Sequence, residues 1–288
     1  MNDALAVFTA IPAVTAGLLG LLVGSFLNVV ILRLPPRLMH QWQQDARDML
    51  ELAPAADAAP PNLVTKGSHC PKCGHVLAWW ENLPLLSYVL LRGRCRGCRA
   101  PIAFQYPFVE AATAVLSALV ALQFGASWEG GVALLATWCL VALTGIDMRT
   151  QLLPDQITLP LLWLALLASV GGLFQTPGAA IVGAAAGYLA LWSVYWAFKL
   201  LTGKEGMGYG DFKLLAALGA FCGWQGLLPI VLMSSLGGAA IGGLYLVLGN
   251  KDSQTQIPFG PFLAVAGWVQ FVFGTEIADA YFRLLGMS

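Results

Sequence analysis

The stretch Gly206-Met207-Gly208-Tyr209-Gly210-Asp211-Phe212-Lys213 is a glycine-rich turn that ends in a carboxylate. A hydrophobic run, residues 214–218, begins directly after it. An ionisable side chain at the middle of a bilayer costs roughly 2.5–3.5 kcal/mol on insertion scales, so such a residue is expected to have a function when a partner for it can be named. The candidate partner is Asp147, which also lies where an apolar segment meets a polar turn. Brought together, the two carboxylates would form an acid/base pair.

The composition excludes a soluble globular protein. Of the 288 residues, 58% are hydrophobic and only 10% are charged, whereas a soluble domain has about 25% charged residues. This balance indicates a membrane protein that crosses the bilayer several times. The net charge is zero and no tract of lysine and arginine is present, so no nucleic-acid partner is expected.

Eight apolar runs approach the roughly 20 residues that a helix needs to cross a bilayer. They cover residues 11–32, 104–124, 130–145, 157–174, 178–201, 211–222, 226–248 and 259–285. The first run exceeds the usual 7–15-residue core of a signal peptide, and no lysine or arginine precedes it, so we expect a membrane helix that is retained. The predicted fold class is an all-α polytopic membrane protein with about eight transmembrane helices.

The basic residues predict the orientation and the domains. More than half of the lysines and arginines lie between Arg33 and Ala103, which the positive-inside rule assigns to the cytoplasm. We therefore predict a first transmembrane helix in residues 1–33, a cytoplasmic loop domain in 34–103 and a transmembrane core in 104–288.

The same count of crossings predicts on which side the two aspartates lie. Asp147 follows the third apolar run and Asp211 follows the fifth, so both are expected on the cytoplasmic side of the membrane. Lys199, Lys204 and the Lys251–Asp252 turn fall on that side too, in agreement with the rule. An error of one crossing would place the two carboxylates in opposite compartments.

Four of the six cysteines form two Cys-x-x-Cys units in the hydrophilic loop. These are Cys70, Cys73, Cys95 and Cys98. Two such units complete a closed tetrahedral site, which is typical of structural Zn²⁺. A redox dithiol pair and unliganded thiols are the alternatives. His69 and His75 flank the first unit, but four sulfurs leave no coordination position for them.

Each carboxylate also has a purely structural interpretation. Asp211 could cap the helix that it precedes, and Asp155, which follows Pro154, fits a helix start still better. Asp147 fits such a role least, because it is predicted at a helix C-terminus, where the helix dipole disfavours an anion. Arg149 and Lys213 are interpreted as interfacial anchors rather than as acid or base groups.

Taken together, the motifs resemble those of the type IV prepilin peptidases, which are GxGD-type aspartic membrane proteases. The resemblance rests on the run Gly-Ser-Phe-Leu-Asn in 24–28 with the residues up to Pro35, the two cysteine units, Glu-Asn-Leu-Pro-Leu-Leu-Ser-Tyr in 81–88, Asp147 with Leu-Pro-Asp in 153–155, and the Gly-x-Gly-Asp-x-Lys run that ends at Lys213. These motifs extend in order over nearly the whole chain.

The resemblance implies a bifunctional enzyme of the bacterial inner membrane. Such enzymes cut the leader from prepilins and type II secretion pseudopilins after a glycine at the cytoplasmic face, and they methylate the new N-terminal residue with S-adenosylmethionine as donor. Carried over to this sequence, the resemblance makes Asp147 and Asp211 the catalytic pair, with Asp155 in the motif but outside that pair. It also makes the four cysteines zinc ligands and links Gly93 to methylation.

The sequence contains no recognised motif for the methyl-donor site. No glycine-rich loop after a strand indicates a Rossmann-type site. Asn28, Glu81 and Asn82 are candidate polar contributors beside Gly93, and a structural role for each remains an alternative.

Two other functions stay open on the residues alone. A peptidase of this fold could act on a different membrane-anchored substrate without methylation. Alternatively, a non-enzymatic membrane scaffold could use the zinc loop to dock a cytoplasmic partner. The scaffold predicts that both aspartates tolerate asparagine.

Overall fold

The computed structural model describes residues 2–53, 59–63, 67–249 and 258–284. Side chains are described from residue 11 to 53, 59 to 63, 67 to 244 and 258 to 283. Regular structure in these residues is helical, apart from two isolated bridges that pair His69 with Val76 and Arg94 with Pro101. The prediction of an all-α fold is confirmed. The Lys251–Asp252 turn lies outside the described residues.

The described residues contain nine α-helices. They are α1 (Asn2–Met49), α2 (Leu86–Leu90), α3 (Gln105–Phe124), α4 (Trp128–Thr150), α5 (Asp155–Val170), α6 (Pro177–Thr202), α7 (Tyr209–Cys222), α8 (Leu227–Gly249) and α9 (Gly260–Leu284). Short 3₁₀ turns, Trp79–Asn82 and Trp224–Gly226, precede α2 and α8.

Each of the eight predicted apolar runs forms a helix. Six of the helices in the described residues are long and apolar enough to cross a membrane, and these are α1, α3, α4, α6, α8 and α9. The other two, α5 and α7, have 16 and 14 residues. A helix of that length extends only about 21–24 Å, less than the hydrocarbon core of a bilayer.

The chain divides into two compact units, with the boundary between Ala126 and Ser127. In the first unit, α1 continues to Met49 as one helix, past the end predicted for it at residue 33. The division into 1–33, 34–103 and 104–288 stays a prediction about function.

In the first unit, α1 packs against α3 at two glycines. A Cβ on Gly20 would lie 2.8 Å from the Thr113 carbonyl oxygen, and one on Gly24 would lie 2.8 Å from Glu110 Cα. The two backbones therefore approach as closely as small residues allow. The buried amide of Asn28 joins the same helices, since its Nδ2 donates to the Tyr106 carbonyl at 3.1 Å.

In the second unit, α7 forms the core. Nearly every side chain from Asp211 to Phe221 is buried, as expected of a helix that is apolar on all faces. It packs on α6 through glycines, because a Cβ on Gly187 would lie 2.6 Å from the Leu215 carbonyl oxygen and one on Gly183 would collide with the Gly219 carbonyl. The helix that carries Asp211 is thus enclosed by its neighbours.

Candidate functional site

Asp147 lies in the last turn of α4. That helix ends at Gln151, which adopts a left-handed conformation (φ 54°) and donates its backbone N–H to the Asp147 carbonyl at 2.9 Å. The Asp147 side chain is only 4% exposed. A buried carboxylate at a helix C-terminus gains nothing from the helix dipole, so its position is not explained by helix stability.

Asp211 lies in the first turn of α7, as its third residue. The N-cap is Gly208, so the interpretation of Asp211 as a simple N-cap is wrong. Its side chain is 7% exposed and receives a hydrogen bond from the Gly208 backbone N–H. A carboxylate that reaches back from this position to the N-cap amide satisfies one of the free donors of the helix N-terminus.

The structure places the two aspartates within range of each other's charge. The charge of Asp147 acts directly on the Asp211 carboxyl group. On each residue one buried oxygen, Asp147 Oδ2 and Asp211 Oδ1, has no hydrogen-bond partner among the described residues. Two buried carboxylates that repel each other cannot both be charged at low cost, and a shared proton or a bound water would satisfy the free oxygens. This is the arrangement from which acid/base catalysis can work.

Gly260, the first residue of α9, holds Asp147 in place. Its backbone N–H hydrogen-bonds to the Asp147 carboxylate, and a Cβ at this position would lie 2.6 Å from Asp147 Oδ2. Gly260 is a functional position that was not predicted from the sequence. The signal was the Pro-Phe-Gly-Pro run at 258–261, a turn at the start of the last apolar segment.

The glycines of the Gly206–Lys213 stretch have packing partners in the structure. A Cβ on Gly210 would lie 2.6 Å from Leu153 Cβ, and one on Gly206 would lie 2.9 Å from the Phe198 ring. Both positions therefore require glycine for close packing. A Cβ on Gly260 would lie 3.2 Å from Leu153 Cδ1. Leu153 therefore lies between the starts of α7 and α9.

Asp155 and Lys213 form an ion pair. The Lys213 ammonium lies 2.6 and 2.7 Å from the two Asp155 carboxylate oxygens. Asp155 is the first residue of α5, so the helix start indicated by the sequence is confirmed, but the N-cap is Pro154 and the interpretation of Asp155 as an N-cap is wrong. Because Asp155 is engaged with Lys213, it is not part of the buried aspartate pair. Lys213 was interpreted as an interfacial anchor, which missed its partner.

A second ion pair fixes the turn before α7. Lys199 contacts Glu205 at 2.8 Å and the Tyr195 hydroxyl at 3.2 Å. The Lys199 ammonium holds the pKa of the Glu205 carboxyl below its usual range. This pair connects the last turn of α6 to the glycine-rich stretch that leads to Asp211.

The four predicted metal ligands meet in the first unit. All four cysteine sulfurs lie within 4.8 Å of one another. Cys70 Sγ lies 3.8 Å from Cys98 Sγ, and Cys73 Sγ lies 3.9 Å from Cys95 Sγ. A tetrahedral site with Zn–S bonds of about 2.3 Å has sulfurs about 3.8 Å apart. The cluster therefore fits a four-coordinate metal ion.

The two cysteine units adopt the same type of backbone turn. In the first, the Gly74 N–H donates to the Cys70 carbonyl at 2.9 Å, and in the second the Arg99 N–H donates to the Cys95 carbonyl at 2.9 Å. Gly74 has φ 72° and Arg99 has φ 57°. The sequence indicated the left-handed turn only at Gly74, because glycine adopts it without strain.

The thiols do not ionise independently. Backbone N–H groups of Lys72 and Cys73 lower the pKa of the Cys70 thiol to about 6. At Cys73 a backbone hydrogen bond from His75 favours the thiolate, but partial desolvation and the neighbouring sulfurs outweigh it and raise the pKa to about 12. A bound cation would allow all four sulfurs to be thiolates at once.

Glu81 is one of the residues predicted for the methyl donor, and its carboxylate is already engaged. The Ala78 N–H donates to Glu81 Oε2 at 2.8 Å, and His75 Nε2 lies 3.1 Å from the same oxygen. The Ala78 hydrogen bond, supported by His75, holds the pKa of this buried carboxyl below its usual range despite its desolvation. His75 thus lies beside the cysteines, and Glu81 fixes its ring.

The other donor candidates have separate environments. Gly93 has φ 65°, and a Cβ on it would lie 3.0 Å from the Tyr88 ring. Asn82 is exposed, while Asn28 is buried in α1 with a free Oδ1 among the described residues. Apart from the adjacency of Glu81 and Asn82 in the chain, no hydrogen bond or ion pair joins these four residues in the described part of the chain. They do not form one visible binding site.

Family models match both units of the chain. The Bacterial Peptidase A24 N-terminal domain matches residues 18–124, and the Type IV leader peptidase family matches residues 134–243. The first match contains the four cysteines, and the second contains Asp147 and Asp211.

Relatives match over nearly the full length. The chain is 53% identical to a prepilin leader peptidase/N-methyltransferase of Xanthomonas campestris, with 93% of this chain and 94% of that protein covered. Identity to a protein of the same name from Pseudomonas aeruginosa is 54%, over 94% of this chain and 93% of the relative. One from Burkholderia pseudomallei is 46% identical over 98% and 92%. No solved structure matches the chain.

Proposed function

The chain belongs to the type IV leader peptidase family, and from this premise we propose which of its residues act and how. It is a protease with N-methyltransferase activity, as its relatives at about 53% identity are named. It removes the leader of prepilins and methylates the N-terminus that cleavage exposes.

Asp147 and Asp211 are the catalytic pair. The observation that carries this proposal is a pair of buried carboxylates within range of each other's charge, each with one oxygen free of any partner in the described residues. Burial of two like charges has a cost that neither helix needs for stability. A function that uses both groups explains why they are there.

The pair can hydrolyse a peptide bond without a metal ion or a nucleophilic side chain. One carboxylate takes a proton from a water molecule while the water oxygen attacks the scissile carbonyl carbon, and the protonated partner donates its proton to the carbonyl oxygen. The tetrahedral intermediate then collapses. The C–N bond breaks as the protonated carboxyl group donates its proton to the leaving amine and the other carboxylate takes a proton from a hydroxyl group of the intermediate, so the two carboxyl groups again share one proton.

Cleavage takes place at the cytoplasmic face, after a glycine of the leader. The charges of the second unit support this side, because Arg149, Lys199, Lys204 and Lys213 all lie near the helix ends that carry Asp147 and Asp211. Arg283, at the far end of α9, is the exception among the described residues. Positive residues mark the cytoplasmic side of a membrane protein. The glycine and the pseudopilin substrates rest on the family resemblance.

The four cysteines hold a structural Zn²⁺ ion. Their sulfur spacing supports this ion, and four thiolates favour it over harder cations. Because four sulfurs would fill the tetrahedron, the ion would fix the loop and would not activate a water molecule.

S-adenosylmethionine is the proposed methyl donor, because the relatives are named methyltransferases. Gly93, Asn28, Glu81 and Asn82 stay candidate contributors to its site. The Glu81 carboxylate already accepts a hydrogen bond from the Ala78 N–H and contacts His75. Position 93 requires glycine because of its left-handed backbone and the nearby Tyr88 ring. No step of methyl transfer is therefore assigned to these residues.

The experiment is co-expression of the full chain with a prepilin, followed by mass spectrometry of the pilin. Wild type should yield pilin without its leader and with one added methyl group at the N-terminus. Asp147→Asn and Asp211→Asn should yield uncut prepilin while the variants accumulate in membranes to the wild-type level. Cleaved pilin without the methyl group would leave a peptidase only, and normal processing by both variants would favour the scaffold and refute the catalytic pair.

A further inference from the structure

An open cleft of about 570 Å³ lies beside the second cysteine unit. Four arginines line it, namely Arg92, Arg94, Arg96 and Arg99, together with Leu90 and the Cys95 side chain. No acidic residue is among the lining residues. Such a concentration of positive charge without a carboxylate is unusual for a surface, where charges of both signs normally alternate.

Most of this charge is uncompensated. Arg96 lies over the Trp80 ring at 5.3 Å and its charge acts on Glu81. The other three arginines form no ion pair with any described residue. Glu81 and a Zn²⁺ ion held by four thiolates would together carry fewer negative charges than the four arginines carry positive ones. The cleft therefore attracts an anion even when the metal centre is complete.

The cleft is walled by an exposed apolar helix. In α2, Leu86, Val89 and Leu90 are 52%, 69% and 63% exposed, and Leu90 itself lines the cleft. Exposed leucines and valines directly beside unpaired arginines are typical of a segment that lies in the lipid headgroup region, with its apolar side chains in the acyl boundary.

Two hydrogen bonds hold this region at the start of a membrane helix. The Leu85 N–H, just before α2, donates to Glu110 Oε2 at 2.9 Å, and the Ile102 N–H donates to the Gly93 carbonyl at 2.8 Å. Glu110 lies five residues after α3 begins, which is about 8 Å along the helix axis. Helix α2 and the arginines are thereby fixed at the level of the first turns of α3, where headgroups are found.

The methyl donor is a poor match for the cleft. S-adenosylmethionine carries a sulfonium and an ammonium group against a single carboxylate, so it is a net cation. Four arginines without a lining carboxylate would repel it. A phosphate diester is the better match, because a guanidinium fork binds phosphate oxygens in a bidentate manner.

We propose that the arginine cleft and α2 form a binding site for the phosphate headgroup of an anionic phospholipid, with the exposed apolar face of α2 against its acyl chains. Lipid bound here anchors the cysteine-rich segment to the membrane surface. The cleft contains neither aspartate of the pair, and Cys95 is the one proposed zinc ligand among its lining residues.

Native mass spectrometry of the full chain tests this site. The protein is equilibrated in micelles with equal amounts of phosphatidylglycerol and phosphatidylcholine, and the lipid that remains bound is identified. Wild type should retain clearly more phosphatidylglycerol than phosphatidylcholine. Arg92→Gln/Arg94→Gln should lower the bound phosphatidylglycerol about tenfold, because each arginine adds to the attraction of an anionic surface. Arg47→Gln, outside the cleft in the same unit, is the matched control and should bind as wild type does.

Competition distinguishes the possible anions. Inorganic phosphate and glycerol phosphate, which lack acyl chains, should leave the bound phosphatidylglycerol in place, and Val89→Gln should reduce its retention with all four arginines present. Three results would overturn the proposal. They are equal retention of the two lipids, equal loss in the arginine double variant and the Arg47 control, and displacement of the lipid by inorganic phosphate or by S-adenosylmethionine. Circular dichroism and the metal content of each variant verify that it is folded.

Discussion

The cysteine cluster and the aspartate pair are assembled in opposite ways. The cluster takes its four sulfurs from a segment of 29 residues, and two local turns with matching hydrogen bonds position them. The pair joins residues that are 64 positions apart, and it depends on the ends of three long elements, α4, α7 and α9. Cys73 and Cys98 are exposed, whereas both aspartates are buried.

Because they are assembled differently, the two sites tolerate different changes. Loss of one cysteine should affect its own short segment, because the turns are held by local hydrogen bonds. The aspartates depend on helix packing at glycines, so a single methyl group on a distant helix can move them. The aspartate and cysteine variants below each change one site, and both sites are measured in each.

The largest effect is expected from the carboxylates. Asp147→Asn and Asp211→Asn each keep the size of the side chain but cannot hold or release the proton, so leader cleavage should fall by roughly 10²–10⁴-fold. The double variant should be no slower than either single variant, because the two groups act as a unit. Initial rates with a purified prepilin measure this.

The metal content is the control for that experiment. Both asparagine variants should bind as much zinc as wild type, by elemental analysis. Retention of a third or more of the cleavage rate in either variant would rule out a catalytic role for that residue.

The next effect is expected from the cysteines. Cys73→Ser or a strong chelator should abolish metal binding, because three sulfurs do not complete the closed site. Without the ion, limited proteolysis within residues 67–103 should become faster and methylation of pilin should be lost. Leader cleavage should change far less. If chelation alters neither the protease resistance of this segment nor methylation, the four cysteines have no structural metal.

A smaller effect is expected at the glycines that pack α6 on α7. Gly183→Ala places a Cβ against the Gly219 carbonyl, and overpacking of this kind costs about 1–3 kcal/mol. The variant should unfold at lower temperature and cleave more slowly, although no catalytic group has changed.

Gly178→Ala is the matched control on the same helix. A Cβ there meets nothing within 4 Å among the described residues, and alanine is the better helix former. This variant should be as stable as wild type or slightly more stable. If both variants behave alike, close packing at Gly183 does not position α7.

The smallest effect is expected from Asp155 and Lys213. The pair is partly exposed, with side chains 49% and 29% accessible, and pairs of this kind contribute about 0.2–1 kcal/mol. A double-mutant cycle with Asp155→Asn and Lys213→Met, read by thermal unfolding, should give a coupling energy in that range. Cleavage should stay within about fivefold of wild type. A loss of a hundredfold in Asp155→Asn alone would make Asp155 a catalytic residue.

Local chemistry could be predicted from the sequence. Apolar runs located all eight long helices, because burial in lipid or in a core requires such runs. The spacing of the cysteines predicted the cluster, since two thiolates three positions apart face the same side of a tight turn. Asp147 and Asp211 were placed at helix ends by the change from polar to apolar residues.

Contacts between distant residues could not be predicted in the same way. The Gly260 amide reaches Asp147 from 113 positions away, and the Asp155–Lys213 pair forms only when α5 packs on α7. Sequence analysis treated α7 as one more apolar segment, although the structure encloses it on all sides. Apolar residues all round a helix suit lipid and protein surroundings equally, so composition does not separate the two.

Cross-linking tests the central claim, the meeting of Asp147 and Asp211, most directly. In membranes containing the full chain with Asp147→Cys and Asp211→Cys, a short bifunctional thiol reagent should join the two positions, and mass spectrometry should identify the linked peptides. Asp147→Cys with Gly172→Cys is the control, because α5 separates these positions by about 24 Å along its axis. The account predicts a rapid link for the first pair and none for the second. Absence of the 147–211 link, or equal yields from both pairs, would contradict it.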